Sequence, residues 1–359
     1  MSLQTITDFL AGQGCAFPEV GLLQPADPFL DTAGEDLRRR IFMTQENSGR
    51  AFCLRPEFTI PVCIHHVQNG GGPARYAYGG TVFRQRQNAP AEFVQAGFED
   101  FGNPDRMVAD AASITTALDL LKASRTSVSH VIVGDQSVFV ALLDALEMPP
   151  AWRKKLLRAF GDEAMLRAQL ASIGENGHTM SDLPQDLRTA LAKGDAAAVL
   201  GLVRDRMIAD GLPLTGGRTP QAISIRLMEH YQLRQTALPQ AARTTLEAFL
   251  DLEAPLPEIR ARLAGFEREF GVALPGVVEK LEALAKGLGP YVGDCLYRAR
   301  FGRRLDYYTG LVFEVYRGGL DLPVIGGGRY DKLLTLLGAR EEVPAVGFAV
   351  WVDRLEARP

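Results

Sequence analysis

The feature of this sequence that most constrains its fold is a change of periodicity along the chain. Roughly the first 125 residues and the last 70 consist of short β-prone runs separated by glycine and proline, whereas apolar residues between them recur at helical spacing. This order predicts one α/β (α+β) domain built from residues 1–136 and 288–359, interrupted by a mainly helical insertion at residues 137–287. At 359 residues the chain is too long for one simple core, which suggests two or three structural units.

Turn-forming residues divide the first β-rich segment into two hairpins. The cluster QENSG separates β-prone runs at residues 40–44 and 50–54, and the cluster QNAP separates strands at residues 76–84 and 92–101. An amphipathic helix is predicted to follow at residues 110–122. The N-terminal part of the chain is therefore predicted to form antiparallel strand pairs and then a helix.

A glycine-rich run near the C-terminus, GGGRYD at residues 326–331, leads into a short predicted helix at residues 332–337. A glycine-rich loop before a helix can bind phosphate, but this run matches neither GxxxxGK[ST] nor GxGxxG. We therefore interpret it as a loop in which the backbone approaches its neighbours closely and presents Tyr330.

Composition excludes several classes of protein. An apolar content of 47 %, a charged content of 23 % and a net charge of −4 give no electrostatic reason to expect nucleic-acid binding. The four cysteines have no CxxC spacing, and adjacent His65 and His66 point to opposite sides of any element, so we expect no disulfide framework and no metal site. We also expect no signal peptide and no membrane span, and hence a cytoplasmic protein.

Two segments carry the polar groups of a small-ligand pocket. RRLDYYTGLVFE, residues 303–314, places two arginines and an acid at the start of a β-prone run, and unpaired buried charges there would cost several kcal/mol each. A surface strand with a solvated, charged start is the alternative, and this segment alone does not decide between them. The segment LRPEFT adds a carboxylate, Glu57, and a hydroxyl, Thr59, which suit an ammonium group.

The second strand pair adds further polar groups on one sheet face. Period-2 alternation places Arg84 on the same face as Gln95 and Glu99. Gln95 and Glu99 stand on either side of Gly97, whose missing side chain is predicted to leave room for a ligand. Because arginine grips a carboxylate with two parallel hydrogen bonds, these side chains outline a site for a zwitterion. An exposed cross-strand ion pair, worth under about 1 kcal/mol, remains the alternative.

Taken in order, these segments resemble the catalytic core of histidyl-tRNA synthetase, a class II aminoacyl-tRNA synthetase. They are LRPE at 54–57, FR at 83–84, QAGFEDFG at 95–102, RRLDYYTGLVFE at 303–314, GGGRYD at 326–331 and GFAVWVDRL at 347–355. Pro25 resembles the motif 1 proline at the dimer interface of that family. The resemblance covers most of the chain outside the helical middle and implies a class II synthetase-like antiparallel sheet flanked by helices, paired into a dimer.

The resemblance also implies which residues hold the main-chain groups of a bound histidine. Glu57, Thr59 and Gln95 would hold its α-ammonium group, and Arg84 would hold its carboxylate. These assignments agree with the chemistry of the side chains, because an ammonium group needs acceptors and a carboxylate needs donors.

The imidazole of the bound histidine has its own implied partners. Glu99 and Tyr308, helped by Tyr330, would contact the ring, and Arg303 stands where the synthetases keep a catalytic arginine. An acid and a hydroxyl suit the two distinct ring nitrogens. The complete implied histidine-binding set is Glu57, Thr59, Arg84, Gln95, Glu99, Arg303, Tyr308 and Tyr330.

The chain departs from the synthetases where they bind ATP. Arg86 replaces a glutamate of motif 2, which reverses a charge, and Trp351 replaces a motif 3 glycine, so its indole is expected to fill space that ATP needs. Asp353 replaces the usual motif 3 glutamate, although Arg354 remains. The sequence ends at Pro359, directly after motif 3, so we expect no anticodon-binding domain.

A histidine pocket combined with an altered ATP pocket resembles the regulatory subunits of ATP phosphoribosyltransferase. That resemblance implies a non-catalytic protein without a cofactor or metal, which assembles with the short-form catalytic subunit into a hetero-octamer. It implies activation of that subunit in the first step of histidine biosynthesis, L-histidine as the feedback effector, and neither tRNA nor membrane as a partner. Two alternatives stay open, namely a truncated synthetase-like enzyme that adenylates an amino acid and a synthetase-like sensor that regulates translation.

Overall fold

A computed structural model describes residues 2–32, 34–87, 89–171, 183–214, 219–235, 238–303, 305 and 307–356. The strands are β1 Leu23–Pro25, β2 Met43–Gln45, β3 Ala51–Leu54, β4 Ala74–Phe83, β5 Glu92–Phe101, β6 Val128–Asp135, β7 Glu253–Pro255, β8 Cys295–Arg298, β9 Leu311–Arg317, β10 Ile325–Arg329 and β11 Ala345–Trp351. Both predicted hairpins are present, because β2 pairs with β3 and β4 pairs with β5, each antiparallel.

The two β-rich ends of the chain meet in one eight-stranded sheet. Its strand order is β4-β5-β11-β10-β9-β6-β8-β7, so strands close to the C-terminus insert between the N-terminal hairpin and β6. Neighbouring strands are antiparallel except for β6 and β8, which are parallel. A smaller sheet has the order β1-β3-β2. The predicted antiparallel sheet flanked by helices is thus present, with one parallel strand pair.

The helices follow in chain order. They are α1 Leu3–Gly12, α2 Asp27–Thr32, α3 Gly34–Arg38, α4 Thr59–Gln68, α5 Arg106–Ala123, α6 Gln136–Ala145, α7 Pro150–Ala159, α8 Glu163–Ala171, α9 Gln185–Lys193, α10 Ala196–Ala209, α11 Pro220–Gln235, α12 Gln240–Leu250, α13 Ile259–Phe270, α14 Val277–Gly287, α15 Leu333–Leu336 and α16 Val352–Glu356. Asp105 caps α5 by accepting a hydrogen bond from the Val108 N–H at 3.1 Å. This capped helix packs against β10 and β11, while α1 packs against β4 and β5.

The chain divides into two units. The first comprises Met1–Ala145, Phe160–Asp162 and Ala248–Pro359, and the second comprises Leu146–Ala159 and Glu163–Glu247. The insertion expected from the sequence, residues 137–287, is broader than the second unit. Residues 248–287 fall in the first unit because β7 pairs with β8 and α14 packs against α5. Helical periodicity locates these helices but does not say which neighbours they pack against.

The second unit has a small apolar core of its own. Leu187 and Leu191 of α9 pack with Val199 and Val203 of α10, and all four side chains are buried. These residues recur at intervals of four along their helices, which places them on one face of each. Helices α9 and α10 therefore bury their apolar faces against each other.

The glycine run was predicted as a loop, and that prediction is wrong. Gly326, Gly327 and Gly328 lie within β10, in the middle of the large sheet. A Cβ atom at Gly327 would lie 2.2 Å from the Gly347 carbonyl oxygen, and one at Gly328 would lie 2.4 Å from the Leu311 carbonyl oxygen. Glycine is therefore needed here for close packing of neighbouring strands, and not for a turn.

Candidate functional site

All eight residues assigned to histidine binding line one cavity of the first unit. The cavity holds about 450 Å³ of space not filled by atoms, counting the part open to solvent. Residues from β5, β10, β11 and the segment before β9 meet here because the sheet order places those strands side by side. Arg304 and Asp306, part of the predicted charged entrance, lie outside the described residues.

Glu99 is the most strongly coordinated acid of the cavity. Its Oε1 atom accepts hydrogen bonds from the Thr59 hydroxyl at 2.8 Å and the Tyr78 hydroxyl at 3.2 Å, and its Oε2 atom accepts one from the Tyr330 hydroxyl. The carboxyl group is 1 % exposed. A Cβ atom at Gly347 would lie 1.7 Å from Oε2, so glycine is required opposite this acid.

Burial is the main cause of the shifted pKa of Glu99. It raises the pKa of Glu99 to about 8, against the opposing hydrogen bonds from Tyr330 and Thr59. The neighbouring Glu57 raises the pKa further. The empty protein therefore holds Glu99 largely protonated at neutral pH, and a ligand that donates an N–H to it would favour the carboxylate.

Replacing Glu99 with glutamine is expected to stabilise the empty protein at high pH. The pKa of Glu99 is raised from 4.5 to about 8 in the folded state. Its protonation therefore contributes fully to the free energy of unfolding below pH 4.5, and this contribution is lost as the pH rises to about 8. The neutral amide does not titrate and avoids that loss. Above pH 8 the free energy of unfolding of Glu99→Gln should therefore exceed that of wild type by on the order of a few kcal/mol. Denaturant unfolding of both proteins between pH 4 and 9 tests this, and a pH-independent difference would contradict it.

Glu57 lies two residues before helix α4. Its carboxylate accepts hydrogen bonds from the backbone N–H groups of Thr59 at 2.7 Å and Ile60 at 2.8 Å. These bonds satisfy donors that the first helical turn leaves open. A carboxylate has about four acceptor positions, so two remain for an ammonium group of a ligand.

Arg84 and Gln95 present polar atoms without partners among the described residues. The buried Nε and Nη2 atoms of Arg84 and the Oε1 atom of Gln95 make no hydrogen bond there. Burial, and then the adjacent Arg86, lower the pKa of Arg84 to about 10, which leaves it charged at neutral pH. Unpaired buried donors and acceptors are costly, so a ligand that pairs with them is favoured. Arg84 is suited to an anionic group of a ligand, and Gln95 is suited to a cationic group.

Arg303 stands at a different wall of the cavity. Its Nε atom lies 3.7 Å from Glu314 Oε1, and its guanidinium carbon lies 5.6 Å from the ring centres of both Tyr308 and Trp351. A Cβ atom at Gly326 would lie 2.3 Å from its Nη1 atom, so this glycine makes space for the guanidinium. Tyr308 is buried next to it, as the sequence analysis expected of a pocket residue.

Two of the residues that depart from the synthetases, Arg86 and Asp353, contact each other. Arg86 forms an ion pair with Asp353, with an Nη1–Oδ2 distance of 2.8 Å. Trp351 is 7 % exposed and lies 4.3 Å from the guanidinium carbon of Arg354, measured to the ring centre. The reversed charge at residue 86 is thus balanced by an acid of this chain, and the indole is packed against the cavity wall.

The space predicted for a ligand at Gly97 is filled by Tyr78, a residue that was not predicted to lie at the site. A Cβ atom at Gly97 would lie 2.2 Å from the Tyr78 hydroxyl, so the space above this glycine holds a tyrosine and not a ligand. Tyr78 lies directly opposite Gly97 in the β4–β5 register. Counting back by twos from Arg84 to residue 78 would have identified it.

Other parts of the cavity wall were not predicted. Leu37, Leu305, Tyr307 and Phe348 also line the cavity. Tyr307 belongs to the YYTG segment, but the apolar residues carry no chemical signal that separates a pocket wall from a core. Among the described residues, no group of three or more His, Cys, Asp or Glu side chains is placed to hold a metal ion. No helix of the described part of the chain is long and apolar enough to cross a membrane.

Comparison with known sequences identifies close relatives. A family model described as histidyl-tRNA synthetase matches residues 3–210 and 227–355. The chain is 44 % identical over 355 residues to a protein of Chelativorans sp. (strain BNC1) named ATP phosphoribosyltransferase regulatory subunit, covering 98 % of this chain and 95 % of the relative. It is 46 % identical over 347 residues to a Brucella canis protein of the same name, covering 94 % and 92 %.

Solved structures share the fold. One from Bacillus halodurans, described as an ATP phosphoribosyltransferase regulatory subunit/histidyl-tRNA synthetase, aligns with a TM-score of 0.64 at 21 % identity, covering 98 % of this chain and 76 % of that one. A histidine–tRNA ligase subunit from Alicyclobacillus acidocaldarius aligns with a TM-score of 0.60 at 24 % identity, covering 98 % and 90 %. At these identities the two structures show the fold alone.

Proposed function

The chain belongs to the family of ATP phosphoribosyltransferase regulatory subunits, which has the histidyl-tRNA synthetase-like fold, and from this membership we propose that it binds L-histidine and regulates a catalytic subunit. The proposed partner is the short-form catalytic subunit of ATP phosphoribosyltransferase, in a cytoplasmic hetero-octamer that contains this chain as a dimer. The chain would activate the partner in the first step of histidine biosynthesis and transmit feedback inhibition by histidine.

The observation that carries the histidine proposal is the set of unpartnered polar atoms in the cavity. Arg84 offers donors for a carboxylate, and Gln95 offers an acceptor for an ammonium group. Glu99, held by three hydroxyl donors, supplies an acceptor for an imidazole N–H. A zwitterionic amino acid with a ring N–H fits all three requirements, whereas an apolar amino acid would leave Glu99 unused.

The same cavity supports binding without activation of the ligand. Arg86 and Asp353 neutralise each other in an ion pair. Trp351 lies beside Arg303 and forms part of the cavity wall. An incoming nucleotide would have to displace an indole and compete for both charges. The proposal therefore assigns no catalytic residue to this chain.

Feedback control requires a difference in histidine affinity between two states of the complex. Histidine inhibits only if it binds the inactive state more tightly than the active one, and such couplings are typically about 1 to 3 kcal/mol. By reciprocity, histidine shifts the equilibrium between the two states toward the inactive one by the same factor. Comparing histidine affinity in complexes held in the active and in the inactive state measures that coupling.

A mixing experiment tests the proposed function. We expect the purified chain to co-purify with a short-form catalytic subunit, to raise its rate of ATP phosphoribosyl transfer by at least tenfold, and to make that rate sensitive to histidine. The catalytic subunit alone and a mixture with bovine serum albumin serve as controls. Absence of a complex and of any activation would contradict the regulatory role.

Three partly buried arginines favour a second candidate function. Arg84, Arg303 and Arg354 are the side chains that a synthetase-like enzyme would need to bind and activate an amino acid with ATP. Histidine-dependent exchange between pyrophosphate and ATP distinguishes the two functions. We expect no exchange above the rate of a protein-free control, and clear exchange would favour the enzyme.

A further inference from the structure

A buried ion cluster lies directly behind one of the pocket tyrosines. Arg329 is the last residue of β10, and its side chain points to the sheet face opposite to that of its successor, Tyr330. Its Nε atom donates to Asp110 Oδ1 on α5 at 2.8 Å, and its Nη1 atom donates to Asp331 Oδ1 at 2.8 Å. The Nη2 atom donates to the Arg106 carbonyl oxygen at 2.9 Å. Each nitrogen of this guanidinium therefore has an acceptor.

The backbone on both sides of Tyr330 is held by the same cluster. The Tyr330 N–H donates to the Ala345 carbonyl oxygen at 2.8 Å, and the Ala345 N–H donates to Asp331 Oδ1 at 2.9 Å. The Thr309 N–H donates to the Arg329 carbonyl oxygen at 2.8 Å, and the Thr309 hydroxyl accepts from the Asp331 N–H at 3.2 Å. Residues on either side of the tyrosine thus have little freedom to shift.

The cluster is better suited to fixing geometry than to adding stability. The side chains of Arg329 and Asp110 are 6 % and 2 % exposed, and such buried pairs often add little net stability because both charges lose their hydration. Fixed geometry matters at Tyr330, because its hydroxyl donates to Glu99 Oε2 and a hydrogen bond weakens steeply when its angle or length changes.

We propose that Asp110 is a positioning residue, which acts through Arg329 to hold the Tyr330 hydroxyl on Glu99 and so sets the affinity of the pocket for histidine. Asp110 touches no part of the cavity, and its effect on the ligand passes through the sheet. This inference rests on the proposed function, because histidine is taken as the ligand.

A double-mutant cycle with Asp110→Asn and Tyr330→Phe tests the proposal. Asp110→Asn should weaken histidine binding about 5- to 10-fold in the wild-type background and less than 2-fold in the Tyr330→Phe background, because contacting networks are not additive. Equal losses in both backgrounds would show a general structural effect and overturn the proposal. Asp100→Asn is the matched control, since Asp100 pairs with Arg75 and has no contact with Tyr330. It should leave the affinity within 2-fold in either background.

Two further measurements cover other ways in which the cycle can fail. If Asp110→Asn does not fold, Thr309→Val takes its place, because it removes the hydroxyl that accepts from the Asp331 N–H. The same pattern across the cycle is expected from it. A second measurement is made without histidine. The near-ultraviolet spectrum of each Tyr330→Phe variant is subtracted from that of its Tyr330 parent, and the difference reports whether the Tyr330 hydroxyl is hydrogen-bonded. A wild-type protein that binds no histidine refutes the proposed function, whereas an unchanged Tyr330 difference spectrum in Asp110→Asn refutes the positioning role.

Discussion

Glu99→Gln is expected to weaken histidine binding by about 10- to 100-fold, which corresponds to the loss of one hydrogen bond to a charged group. An amide oxygen accepts more weakly from a ring N–H than a carboxylate does, and it cannot offset positive charge on the imidazole. The hydroxyl groups of Thr59, Tyr78 and Tyr330 keep the substituted side chain in place. Isothermal titration calorimetry of both proteins with histidine measures the difference.

The control for this prediction is the next residue along the same strand. Asp100 points to the opposite face of β5 and pairs with Arg75, with an Nε–Oδ2 distance of 3.3 Å. Asp100→Asn makes the same chemical change without touching the cavity and should leave the affinity unchanged. Equal affinities for wild type and Glu99→Gln would remove Glu99 from the imidazole site. Glu99→Gln is thus expected to make the ligand-free protein more stable and histidine binding weaker. If both results are found, Glu99 lowers the stability of the ligand-free protein and is needed for binding.

Arg84→Ala is expected to weaken histidine binding by about 100-fold, because two charge-assisted hydrogen bonds to the carboxylate disappear together. Histidinol has no carboxylate and should lose no more than about 3-fold on the same substitution, by that difference in hydrogen bonds. The comparison separates a lost contact from a general disturbance of the pocket, since a disturbed pocket would weaken both ligands.

The matched control is Arg75→Ala, which removes a largely exposed arginine from the same hairpin. It should change the affinity for neither ligand. Calorimetry or fluorescence titration of the three proteins with histidine and with histidinol gives the six affinities that are needed. Equal losses for the two ligands in Arg84→Ala would refute a role for Arg84 in binding the carboxylate.

Local patterns in the sequence identified several residues of the cavity, and the resemblance to the synthetases joined them into one predicted site. Period-2 alternation placed Arg84, Gln95 and Glu99 on one sheet face, and all three line the cavity, although Arg84 follows the end of β4. The acid and hydroxyl of Glu57 and Thr59 lie in the same cavity, because α4 begins at its edge. What each of these residues does to a ligand stays a prediction.

Long-range contacts were beyond the reach of the sequence. The glycines at 326–328 were taken for a loop, because nothing in the sequence shows that β9 and β11 flank them. The ion pair between Arg86 and Asp353 joins residues 267 positions apart, and each appeared only as a separate departure from the synthetases. The cluster around Arg329 likewise brings together α5 and β10. Such pairings depend on strand order, which period and propensity do not determine.

The central claim is that histidine bound in this cavity controls a catalytic partner. The most direct test is the histidine concentration that half-inhibits ATP phosphoribosyl transfer, measured in complexes reconstituted with wild-type, Glu99→Gln and Asp100→Asn chains. Each complex is referred to its own uninhibited rate. We predict that Glu99→Gln raises this concentration by about 10- to 100-fold, the same factor as its loss of affinity, while Asp100→Asn leaves it unchanged. Unaltered inhibition in the Glu99→Gln complex would contradict the account, because the controlling histidine would then bind elsewhere.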